Sequence, residues 1–331
     1  TELRNVVRQG KGTPLEPYFW PEAPQSIPDS ISNKLVLMPT DQRWGATTRK
    51  ETQEAVLHLL NNAGTSRRVR RNTLVFLLPD ETDLTVLNER VRALLAAESV
   101  HGNQSRYNLS KEQIAQLDAE RASGGKGVRQ QVLRTWRHVA WGGTHADSSE
   151  KDEATSSGEA KSPSNQPSPL TSQDMGQPSA GTDKTLTDLV VQFLKDRQKY
   201  LETLAPMLIT HPTKLRVWPA EELSLSLIQL RDCFRQFTHL PILRDEDVLK
   251  MAVAGGVEQG FFALAQGTNA EDAVEPCFKK ALSPTGVFLQ DGYVLLRPSV
   301  IEDRRQKEVA RRKQEEERKR LEDDKRREEE K

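Results

Sequence analysis

Arg67, Arg68, Arg70 and Arg71 stand within five positions in the stretch SRRVRRNTLVFLLPDE and run directly into an apolar segment closed by Pro79, Asp80 and Glu81. A guanidinium offers a planar fork of donors and keeps its charge at any ordinary pH, so such a run could grip phosphates. It could also act in trans on a neighbour's nucleotide, as an arginine finger does. The plainer alternative is that a strand entrance at a sheet edge must be soluble, and arginine makes it so. Residue types alone leave both alternatives open. Arg67 and Arg68, with Arg231 and Arg235 further along, are the weaker candidates for contact with nucleic-acid phosphates.

Other chemistry is thin. SGGKG (123–127) is the nearest approach to a phosphate loop, but Val128 stands where a Walker loop has Ser or Thr, and a helical pattern rather than a strand precedes it. It reads as a turn between helices. His58 and His138 fall in helical patterns and His239 precedes the Leu240-Pro241 step, with no nucleophile legible beside any of them. Cys233 and Cys277 form no CxxC pair and no metal spacing with the six histidines, so free thiols are expected. Asp245, Glu246 and Asp247 crowd a helix start, where they offset the helix dipole. These residues predict no catalytic group, no metal ligand and no cofactor held by this chain.

The elements that would position the arginine run read as α/β. SNKLVLMPTD (32–41) is a short buried strand. TRKETQEAVLHLLNNAG is an amphipathic helix with capping-box spacing at Thr48 and Glu51 and Gly64 at its end. NTLVFLLP is the strongest strand signal, and Asp80 caps a helix carrying Leu84, Leu87, Val91, Leu94 and Leu95 at helical spacing. Strands apolar on both faces belong in a covered, parallel sheet, to which PYFWPEAP could add an edge. Ser110 and Gln113 open a further helix that SGGKG is expected to break. A second helix, with Val128, Val132, Trp136, Val139 and Ala140 on one side, follows to WGG.

Residues 142–183 are Ser, Pro, Gln and Gly with almost no apolar content, the composition of a disordered linker. The chain therefore divides into an α/β lobe with a short parallel sheet (1–141), the linker (142–183), a mostly helical lobe (184–300) and a charged tail (301–331). In the helical lobe, apolar spacing from Leu186 to Leu204 predicts one long helix halted by Pro206. LSLSLIQLRDCFRQFTHLP predicts another, Asp245 caps a third reaching Gly260, and FFALAQG is a short strand. GVFLQDGYVLLRP, with Asp291-Gly292 at its turn, predicts a hairpin, so this lobe reads as winged-helix-like. The tail alternates acidic and basic blocks every three or four residues without an a/d apolar stripe, as in a solvated helix or a disordered segment, not a coiled coil.

Charge argues against a DNA reader in the winged-helix-like lobe. Residues 214–300 hold nine Lys and Arg against eleven Asp and Glu, and DEDVLKMAVAGGVEQ carries one Lys against four acids. No apolar run approaches the ~20 residues a membrane span needs, and no leader opens the chain, so a soluble cytoplasmic protein without membrane partners is expected. The start, TELRNVVRQG, has no Met, which points to a processed chain or a piece of something longer.

Several segments together resemble one family in the same order: NKLVLMPTD, RRNTLVFLLPDETDLTVLNERVRALLAAESV, LSKEQIAQL with LRTWRHVAW, LSLSLIQLRDCFRQFTHLPILRDEDVLKMAVAGGVEQGFFALAQG, and DGYVLLRP. The family is that of large prokaryotic AAA+-type ATPases catalogued as a domain of unknown function, including ATPases of phage-growth-limitation and BREX-like defence systems. The resemblance spans most of residues 20–300 outside the linker. It implies a C-terminal region whose Walker motifs, with ATP and Mg, belong to an upstream ATPase domain or subunit. Other defence-system proteins are implied as partners, and DNA as a further candidate. Arg71 and Asn72, with Arg70 beside them, match the family's run at the strand entrance and are the expected contacts with nucleotide, ATPase core or nucleic acid. The expected function is therefore non-catalytic: coupling ATP hydrolysis elsewhere to partner or nucleic-acid engagement. The alternative is a free-standing nucleic-acid-binding or scaffold module.

Overall fold

A computed structural model describes residues 2–7, 13–143, 170–177 and 184–329. They fall into two compact units, Thr1–Leu201 with Phe234–Arg244, and Glu202–Cys233 with Asp245–Lys331. These bounds differ from the expected lobes, because the chain leaves the first unit after Leu201 and returns to it for eleven residues.

The first unit is built on a five-stranded sheet. In chain order it holds α1 (Glu2–Val6), β1 (Glu16–Phe19), β2 (Lys34–Leu37), α2 (Arg49–Asn61), the small ribbon β3 (Asn62–Ala63) and β4 (Ser66–Arg67), and β5 (Leu74–Pro79). Then come α3 (Glu81–Gly102), α4 (Gln104–Tyr107), α5 (Lys111–Thr135), β6 (Trp136–Gly142), β7 (Leu170–Asp174), α6 (Leu186–Asp196) and β8 (Tyr200–Leu201). The sheet order is β1-β2-β5-β6-β7. β1, β2 and β5 are mutually parallel, whereas β6 and β7 run antiparallel to their neighbours.

Side-chain alternation sorts the strand residues into two cores. Leu35, Leu37, Val75, Leu77 and Val139 pack on one face with Leu84 and Leu87 of α3, Val128 and Val132 of α5, and Leu186 and Val190 of α6. Val36, Leu74, Phe76, Leu78 and Ala140 pack on the other with Val56, Leu59 and Leu60 of α2. Both faces being covered is why β2 and β5 are buried along their whole length.

Three expectations are corrected here. The sheet is mixed, not parallel, because WRHVAW forms β6 instead of continuing a helix. Its period-two alternation supplies both cores and closes the open edge of β5, with Phe76 opposite Ala140 and Leu77 opposite Val139. SGGKG does not break α5; the helix runs through Gly124, Gly125 and Gly127. A Cβ on Gly124 would lie in ordinary contact with Leu94 Cδ1, at 3.4 Å; α5 packs along α3 here, and that packing offsets the roughly 1 kcal/mol a mid-helix glycine costs. Residues 170–174, inside the segment read as linker, pair with β6; residues 144–169 and 178–183 of that segment lie outside the described ones.

Helix starts follow the local rules where a side chain is placed to act. Asp80 caps α3, accepting from the Thr82 and Asp83 amides, and Ser110 forms the full capping box with Gln113. Thr48 makes no such box: it is already helical, and its hydroxyl donates to the Arg43 carbonyl at 2.8 Å. The long helix expected to Pro206 ends at Asp196, where Gln198 turns left-handed (φ 57°). The chain then passes to the second unit for β9 (Ser224–Ser226) and most of α7 (Leu227–Gln236). It returns so that β10 (Ile242–Leu243) runs parallel to β8.

The second unit continues with α8 (Glu246–Gln259), β11 (Ala263–Gln266), β12 (Val274–Cys277), β13 (Tyr293–Leu296) and α9 (Pro298–Glu329). Asp245 caps α8 through the Val248 amide, and Gly260 closes it at φ 77°. Its sheet is antiparallel in the order β12-β11-β13-β9. This overturns the expected hairpin: both edges of β13 are taken, by β11 and by β9, so Val287–Gln290 has no edge to join and forms no strand. The particular hairpin on which the winged-helix reading rested is therefore not formed. No helix among the described residues is long and apolar enough to cross a membrane.

Candidate functional site

The arginine run enters β5 with unequal fates. Arg68 is buried, and its guanidinium donates to the carbonyls of Leu59 (3.2 Å), Pro28 (3.3 Å), Pro24 (3.4 Å) and Ile27 (2.9 Å). It braces α2 against the loop before β2. Arg70 is held by Asp29, whose carboxylate also accepts the Val69 and Arg70 amides at 2.8 and 3.0 Å while its carbonyl accepts from Arg70 Nη1. Arg67 is exposed and Arg71 half-buried; burial first, and the nearby Arg67 charge second, lower the Arg71 pKa.

Asn72 is buried and turned inward. Its side-chain amide donates to the carbonyls of Phe234 (2.7 Å), Leu240 (3.1 Å) and Pro241 (3.4 Å), and its oxygen accepts from Lys199 Nζ at 2.9 Å. The Lys199 ammonium also donates to Thr238 O and Leu240 O at 2.6 and 2.7 Å. Asn72 and Lys199 thus fasten the returning segment 234–244 to the sheet. In the second unit Arg231 pairs with Asp232 and donates to Leu289 O at 3.1 Å; Arg235, in the part of α7 that belongs to the first unit, is partly buried.

The opposite end of β5 carries a denser polar cluster. In sheets with parallel strands this is the side where ligands bind, outside the carboxyl ends. Asp80 Oδ1 accepts from the Thr82 hydroxyl, the Thr82 amide (2.9 Å) and the Asp83 amide (3.2 Å). Asp80 Oδ2 accepts from Arg137 Nη2 and lies against His138 Nε2, both at 2.8 Å. Arg137 further pairs with Asp83 at 3.1 Å and Asp174 at 3.2 Å. Trp44 covers the His138 ring at 6.1 Å and carries the Arg49 guanidinium 4.9 Å above its own. Backbone bonds from Trp44 N to Pro79 O (2.7 Å) and Glu81 N to Trp44 O (3.2 Å) stitch the loop after β2 to the start of α3. Gly45 is required there, since a Cβ would fall 1.8 Å from Glu81 Oε2.

Electrostatics decides what Asp80 can do. Burial raises its pKa, but the Thr82 hydroxyl, His138, the Asp83 amide and the Arg137 charge together hold it well below the ordinary carboxylate range. A carboxylate held ionised with both oxygens occupied by these donors is not a proton acceptor near neutrality. Asp80 and His138 form a carboxylate–imidazole pair, yet among the described residues no hydroxyl or thiol is bonded to His138, so no nucleophile is activated. The Cys233 thiol is pushed up to about 11, by burial first and then by the Asp232 and Glu222 charges, which favours the protonated thiol over the nucleophilic thiolate. Among the described residues no three His, Cys, Asp or Glu side chains converge as metal ligands.

Sequence reasoning found Asp80 as a cap but not its partners, because Arg137 and His138 were expected on a helix. The alternation in WRHVAW was the signal that would have put them at the same end of the sheet as Asp80. Scans against family models, curated proteins and solved structures return no match to this chain.

Proposed function

We propose that this chain is a non-catalytic portion of an AAA+-type ATPase of the anti-phage defence kind, coupling hydrolysis carried out elsewhere to engagement of a protein partner. The ordered sequence resemblance supplies the class. The observation that carries the non-catalytic part is the position of SGGKG: it lies inside α5, where its backbone amides point along the helix axis and cannot curl around a phosphate. Asp80 supports the same reading, since at the strand end where an ATPase would hold Mg its two oxygens accept from Thr82, Asp83 and Arg137 and meet His138 of this chain.

In this account Arg68, Arg70 and Asn72 build the entrance of β5, and Arg67 and Arg71 are its contact residues for the ATPase core or its partner. Arg67→Ala with Arg71→Ala in the complete ATPase tests this. The expected result is a several-fold loss of partner-stimulated ATP hydrolysis with an unchanged melting temperature. Unchanged stimulation would remove these arginines from the coupling role.

A further inference from the structure

We infer that α9 is a free-standing single helix, a rigid spacer held straight by its own ion pairs and, among the described residues, packed against nothing beyond its first two turns. Its root is fixed: Val300 and Ile301 join the apolar cluster of β11 and β13, and Arg304 donates to the carbonyls of Ala273, Ala270 and Glu271. From Arg305 to Glu322 every residue is exposed. A helix that leaves its core this completely must be stabilised from within.

The internal source is visible. Arg312 pairs with Glu308 at 2.6 Å, Lys319 with Glu315 at 3.4 Å and Arg318 with Glu322 at 3.9 Å, each four residues apart. In the first two pairs the acid precedes the base, the stronger orientation. Tertiary packing has little to offer instead, because Val309, Ala310 and Leu321 are the only apolar residues between Arg305 and Glu322 and do not recur at heptad spacing. The charge blocks alternate every three or four residues, about 5 Å along the axis. The field therefore cancels within a Debye length of about 10 Å and offers no polyanion a continuous basic track. At 1.5 Å per residue, the stretch from Arg305 to Glu329 holds its two ends about 37 Å apart. This inference stands whether or not the chain serves an ATPase.

The test uses the whole chain with Cys233→Ala and Cys277→Ser, spin-labelled at Gln306→Cys and Arg320→Cys. Pulsed dipolar spectroscopy should return one narrow distance near the ~21 Å expected for fourteen helical residues, unchanged on dilution. Adding Glu308→Gln and Glu315→Gln should broaden it. A broad distance in the unaltered tail, or no broadening with the two Gln substitutions, would overturn the self-stabilised helix. An intermolecular distance that grows with concentration and disappears with Val309→Ala and Leu321→Ala would show instead an interface between copies. Circular dichroism of each labelled chain confirms that the two units are folded.

Discussion

His138 Nε2 and Arg137 Nη2 meet the same oxygen of Asp80, each at 2.8 Å, so one buried carboxylate joins the start of α3 to the start of β6. That junction is where the chain, having crossed from β5 through two long helices, returns to the sheet.

Asp80→Asn should destabilise the fold by about 3 kcal/mol, because it removes the buried charged acceptor shared by the α3 cap, Arg137 and His138. The pH dependence follows from the depressed pKa. A carboxyl ionised more readily when folded contributes its stability above its unfolded value, ordinarily 3.8, and loses it as pH falls through the lower folded value. Urea midpoints measured downward from neutral pH should fall more steeply below that value for the wild type than for Asp80→Asn.

Lys34 is fully buried, with its ammonium donating to Ser32 O at 2.7 Å and Ser30 O at 3.3 Å. Burial, opposed by Glu16 and aided by Arg68, pushes its pKa from 10.5 to about 8. Between those values the unfolded chain binds a proton that the folded chain does not, so stability rises with pH across the window. Relative to Lys34→Met, the wild type should gain stability from pH 8 to 10.5; parallel curves would contradict the shift.

The two halves of the arginine run should separate in thermal melts. Arg68→Ala removes donors to four carbonyls and should cost about 3 kcal/mol. Arg68→Lys should recover little, since an ammonium cannot span the fork. Arg67→Ala, at an exposed position, should stay within about 0.5 kcal/mol of wild type.

Asn72→Ala and Lys199→Met should be strongly coupled. Each alone strands buried polar atoms, at about 2 kcal/mol, but the second change should cost much less once the first is made. A double-mutant cycle should give a coupling above about 1 kcal/mol; additive losses would show that the two residues act separately.

Much of this architecture was legible because local rules and tertiary packing agree. β2, β5, α3 and α8 combine strong apolar patterns with caps at Asp80 and Asp245, and the structure has them where those signals lie. The failures came where packing overrode local signals. Gly124 and Gly125 read as a break, yet α5 continues through both and Gly124 faces Leu94 of α3. Trp136 continues a helical spacing from Val128 and Val132, yet β5 needed an edge partner there. Asp291-Gly292 has the residues of a tight turn, and Gly292 does adopt φ 83°, but the partner of β13 is β11, far earlier in the chain. Of the polar cluster only Asp80 could be read, because pairing with Arg137 and Asp174 depends on strand order.

The most direct test of the central claim is ATP hydrolysis by this chain alone, purified to constant composition and supplied with Mg and ATP. The account predicts phosphate release no faster than in a buffer control, with Asp80→Asn making no difference. Turnover that follows the protein through successive columns and is abolished by Asp80→Asn would contradict it.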